Sequence, residues 1–132
     1  MHPPPSRLEL LEIVAEFLRK DLLPKLEGAT AFHTLVAANV LDIVRRELAL
    51  TPDAEAAERQ RLERLLDTTG PLETLNDALC LAIREGRIGP DTPGLWDHLW
   101  ATTLDTLAVD QPGYAAYRLE AARTINPQEG SA

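Results

Sequence analysis

The stretch FHTLVAANVLDIVRREL, Phe32 to Leu48, places three side chains able to do chemistry on or beside its apolar face: His33, Asn39 and Glu47. An imidazole can carry a proton, a carboxylate can accept it, and an amide can fix a ligand by hydrogen bonds. Read as a helix, the stretch puts Phe32, Leu35, Val36, Val40 and Ile43 on one apolar face. Asn39 falls within that face, His33 lies on its edge, and Glu47 points the same way. Glu47 lies nearly four turns beyond His33, roughly 20 Å along the axis, so the two cannot form a catalytic pair on one straight helix. An amide buried without partners costs roughly 1–3 kcal/mol, so something must satisfy Asn39. Three readings do so. One is an inter-helix polar network that fixes register, with Asn76 and Thr103 at the margins of other apolar stripes. The others are a homodimer seam along this helix and a small-molecule pocket lined by His33, Asn39 and Glu47. The register network is preferred.

Other reactive residues read as structural. His2, His33 and His98 fall in no HExxH or ExxH pattern, and the single cysteine, Cys80, has no CxxC partner, so no metal site is expected. Cys80 lies beside an apolar stripe and reads as a buried small hydrophobe. No GxSxG, GxGxxG or GxxxxGK[ST] occurs, so neither a nucleophile elbow nor a phosphate-cradling loop is expected. No catalytic residue and no cofactor site is assigned. Trp96 and Trp100, four apart, read as core anchors, and Tyr114 and Tyr117 as closing the same core. His98 falls opposite the tryptophans, with Asp105 two turns on, and that pair reads as solvated.

The elements that carry these residues are helices. Ser6 and Glu9 in SRLE form a capping box that starts the first, whose stripe is Leu8, Leu11, Val14, Ala15, Leu18 and Leu22. It should end or kink before Pro24. The second helix is expected over Thr30–Leu50 and the third from Pro52 to about Asp67. Pro52, Pro71, Pro93 and Pro112 each precede a periodic segment and read as helix starts, because a first-turn proline loses no hydrogen bond. The fourth helix runs to about Glu85 with Leu72, Leu75, Leu79 and Ile83 on one face. EGRIGPDTPG is the longest loop, and the fifth helix, to Val109, should bury Trp96, Leu99, Trp100, Leu104 and Leu107. A sixth starts near Pro112. Short connections favour antiparallel neighbours, so the expected fold is all-α: a single-domain up-down bundle of five or six helices over residues 1–132, with 1–5 and 126–132 flexible.

Composition agrees. At 132 residues and 45% apolar, the chain suits one domain with one core, and the 5% aromatic content leaves that core to Leu, Ala, Val and Ile. A net charge of −8 argues against nucleic acid and anionic membranes as partners. A lone cysteine gives no disulfide, no apolar run reaches membrane-spanning length, and MHPPPSRLE lacks the apolar region of a signal peptide. A cytoplasmic location is expected.

The segments FLRKDLLPKLEG, FHTLVAANVLDIVRREL, LNDALCLAIREG and LAVDQPGY, in that order, resemble a small bacterial family of unknown function. The resemblance covers roughly Leu8 to Tyr117 and brings no catalytic residues with it. It implies a context: similar proteins are typically encoded beside aminoglycoside-phosphotransferase-like kinases and acyl-CoA dehydrogenases. The expected role is therefore a non-catalytic accessory protein that docks on one of those enzymes. Small-molecule binding near His33 and Asn39, and self-association as a structural protein, stand as alternatives.

Overall fold

Among the described residues there are five α-helices and no strand, so the fold is all-α as expected. This computed structural model describes residues 2–125. The expected flexibility of 126–132 falls outside those residues. Residues 2–5 are irregular and exposed. The fold divides into two compact units, residues 1–50 and 51–132.

In the first unit, α1 (Arg7–Phe17) starts where the sequence places it. The Glu9 N–H donates to Ser6 Oγ at 3.2 Å, and the Ser6 N–H donates to Glu9 Oε2 at 2.7 Å. The reciprocal bonds hold the Glu9 carboxyl below its usual range, the Ser6 backbone N–H contributing most. α1 buries Ala15 and half-buries Leu8 and Leu11, and Leu18 just beyond it is half-buried too. It passes into a π-helical turn, Leu18–Leu22, and a 3-10 turn, Leu23–Lys25, that contains Pro24. Gly28, at φ +63°, opens the next helix in a conformation that side chains with a Cβ disfavour.

That helix, α2, runs from Gly28 to Leu66 with Pro52 inside it. The expected division into Thr30–Leu50 and a separate helix starting at Pro52 is therefore corrected. An interior proline costs about 3 kcal/mol. Here it is flanked by LALT before and DAEAAERQRLERLL after, residues that mostly favour helix and outweigh one missing rung. The boundary between the units falls beside it, at Leu50 and Thr51.

The second unit holds an apolar core cluster of buried side chains: Leu62 of α2, Leu75, Leu79 and Ala82 of α3 (Leu72–Arg84), Ile88 of the following loop, and Leu95 of α4 (Leu95–Asp110). Pro71 is the residue from which α3 starts, as expected. α3 ends in a Schellman turn. Gly86, at φ +75°, donates to Ile83 O, and Arg87 donates to Ala82 O, which leads Ile88 back into the core. Pro93 and Pro112 lie outside the helices they were expected to start. Gly94 precedes α4, and α5 begins at Ala115 and runs to Ile125.

Two helices turn a different face inward from the one their periodicity suggests. On α2, Ala38 is fully buried, whereas Phe32, Leu35, Val36 and Val40 are exposed and Ile43 is half-buried. On α4, Leu95 and His98 are buried, whereas Trp96 and Trp100 are 63% and 54% exposed. The tryptophans are therefore not core anchors. His98 is not solvated but 2% exposed. Cys80 is exposed on α3 rather than buried.

Candidate functional site

The inversion has a polar cause in each unit. In the first, the Arg19 guanidinium in the π-helical turn donates from Nη2 to Asn39 Oδ1 at 2.8 Å and pairs with Asp42 at 2.6 Å. Arg45 reaches Glu12 of α1 at 3.6 Å. These bonds tie α2 to the α1 segment through Asn39, Asp42 and Arg45 and leave the larger apolar side chains outside. Asn39 thus has its partner, though on an exposed position rather than in a core.

In the second unit, Arg61 of α2 does the same for α4. Its Nε donates to His98 Nδ1 at 3.3 Å, its Nη2 donates to Thr102 Oγ1 at 3.3 Å, and Asp105 lies at 4.0 Å. Burial, and next the Arg61 charge, lower the His98 pKa below its ordinary value. The imidazole is therefore neutral at pH 7, with Nδ1 as acceptor and the proton on Nε2. Asn76 of α3 donates to Glu58 of α2 at 3.1 Å, a further inter-helix polar tie. Thr103 does not join such a network, because its hydroxyl bonds to Leu99 O in its own helix.

A cleft of about 410 Å³ opens beside this cluster, lined by Arg61, Arg64, Leu65, Thr92, Pro93, Gly94, Asp97 and His98. The loop before α4 shapes it. The Gly89 N–H donates to Thr92 Oγ1 at 2.9 Å, Trp96 Nε1 donates to Pro90 O at 3.1 Å, and Gly94 adopts φ +89°. No side chain caps the N-terminus of α4. Two guanidiniums and this helix end favour an anion, and the Asp97 carboxylate on the same wall opposes one. Sequence reading missed the cleft because Arg61 and His98 are 37 residues apart and neither falls in a motif.

The residues singled out from sequence do not meet at one point. His33 is exposed, its ring tilted against Phe32 at a centroid distance of 5.9 Å. Asn39 is held by Arg19, and Glu47 is exposed farther along the same helix. Among the described residues no three His, Cys, Asp or Glu side chains are grouped as a metal ion requires, and no helix is long and apolar enough to cross a membrane.

What the geometry defines is an all-α protein whose polar residues lock helices together while its largest apolar side chains face outward. Residues 24–114 match the family described as a domain of unknown function, DUF6285, and the chain belongs to that family. No curated protein and no solved structure matches it.

Proposed function

We propose that this chain is a non-catalytic accessory protein that docks on a partner enzyme through the outward face of α4. The observation that carries the proposal is the pair of exposed tryptophans, Trp96 and Trp100, one turn apart with exposed Leu99 on the same face. Tryptophan is the residue most enriched at the energetic centres of interfaces, and exposing two together costs solvation without return in a free chain. The family resemblance names the partner class: an aminoglycoside-phosphotransferase-like kinase or an acyl-CoA dehydrogenase of the cytoplasm. The acidic chain would suit a basic rim on that enzyme.

The test mixes the purified chain with each enzyme. The expected result is a stable complex at micromolar concentration that Trp96→Ala with Trp100→Ala abolishes, while the doubly substituted chain still unfolds cooperatively. Separate elution from both enzymes overturns the reading.

The cleft supports a second reading, binding of a small carboxylate or phosphate by Arg61 and Arg64. It relocates the pocket alternative from His33 and Asn39 to the second unit. Phosphate or acetate should then raise the melting temperature, and Arg64→Gln should remove the effect. An equal shift in the variant sinks it.

A further inference from the structure

The outer face of α2 in the first unit carries an independent inference. We propose that it is the seam of a homodimer in which two copies of α2 pack antiparallel about a two-fold axis at Val40. The seam is centred on His33, Val40 and Glu47, which lie one heptad apart and so share one stripe. All three are exposed, Val40 by 50%. Exposed Val36 and Val44 fill the turns on either side.

The occupant follows from the register. In an antiparallel pair centred on Val40, Val36 lies level with Val44 of the second copy, and Phe32 lies level with its Leu48. His33 comes level with Glu47 of the second copy, and the symmetry repeats that pairing at the other end. Within one chain these two side chains are about 21 Å apart along the axis. Across the seam an imidazole N–H can donate to a carboxylate twice per dimer. Between Phe32 and Leu48 no like charges come level. Asp42 comes level with Ala38, Arg45 with Leu35, and Arg46 with Thr34. A surface that maps onto itself in shape and in charge is what an isologous interface requires, and an unrelated partner gives no reason for that symmetry.

The chain also needs the contact. The helices of the first unit fully bury only alanines, Ala15 and Ala38, whereas large apolar side chains of α2 lie in water. Two such helices from each copy make a four-helix arrangement with an apolar seam.

The experiment is sedimentation equilibrium of the full chain and three variants, with circular dichroism of each. The wild-type chain should sediment at twice its 14.5 kDa mass at tens of micromolar. Val40→Glu places two carboxylates on the axis and should give a helical monomer. Glu47→Arg should weaken the dimer at least about tenfold, and adding His33→Glu should restore it, because the charges are then exchanged rather than removed. A monomeric wild type, or a dimer indifferent to Val40→Glu, overturns the seam. A Glu47→Arg defect that His33→Glu does not repair overturns the antiparallel register even if Val40→Glu fails to fold. None of these readouts involves the tryptophan face, so this inference and the docking proposal fail separately.

Discussion

Arg61 donates through Nε to the Nδ1 of a buried His98, and the bond joins α2 to α4 with a neutral imidazole. Burial and the guanidinium both disfavour a second proton on that ring. The folded state therefore holds the histidine pKa below its unfolded value near 6.5, and the unfolded chain binds protons first as pH falls. This contribution is complete above about pH 6.5 and is lost as pH drops through the lower folded value. The melting temperature should fall between neutral pH and about pH 5.5, and His98→Gln should flatten that slope. An unchanged slope in the variant would assign the pH dependence elsewhere.

Leu62 is fully buried among Leu75, Leu79 and Leu95, whereas Trp100 faces outward. Leu62→Ala should cost about 2–5 kcal/mol of stability in urea unfolding. Trp100→Ala, a larger truncation, should cost less than about 1 kcal/mol because it empties no cavity. The reverse order would show that α4 buries its tryptophans after all.

Pro52 interrupts α2 without ending it. Pro52→Ala restores the missing N–H and relieves the ring's clash with the carbonyl of Leu48. Helical signal should rise and stability should increase by about 1–3 kcal/mol. A loss of stability would mean that the proline shapes the helix in a way the fold needs.

Arg19 serves both Asn39 and Asp42, and Asn39 is exposed. Arg19→Ala should destabilise the first unit by about 1 kcal/mol, since water reaches the groups it leaves. Asn39→Leu should be nearly neutral for the same reason. Double-mutant cycles between the two positions should give a coupling below that between Arg19 and Asp42, because the second pair joins full charges.

Cys80 is exposed on α3. An aromatic disulfide reagent should modify it in the native protein, before any denaturant-induced loss of helix. Modification only on unfolding would place the thiol in a shielded environment instead.

The parts of this fold legible in the sequence are those set by local chemistry. Ser6 and Glu9 announce α1 because a capping box uses only four residues. α3 shows most of its inner face through Leu72, Leu75 and Leu79, because its apolar residues segregate to one side, but Ile83, expected on that face, is exposed and Ala82 is buried in its place. α2 and α4 carry apolar residues nearly all round, so periodicity shows that faces exist without saying which meets a neighbour. Arg19 and Arg61 decide that, from 20 and 37 residues away in sequence. The same distance hid the cleft. Pro52 misled because proline's preference for first turns is a local rule, and a 39-residue helix overrode it.

The outward apolar faces have a consequence for the life of the chain in a cell. Phe32 and Val40 in the first unit, and Trp96 and Trp100 in the second, present apolar surface of the kind that chaperones and quality-control proteases recognise. On the docking and seam proposals, a copy without its counterpart would therefore be a short-lived copy. Synthesis in excess would be trimmed back, and abundance would follow the supply of whatever covers those faces rather than the rate at which the chain is made.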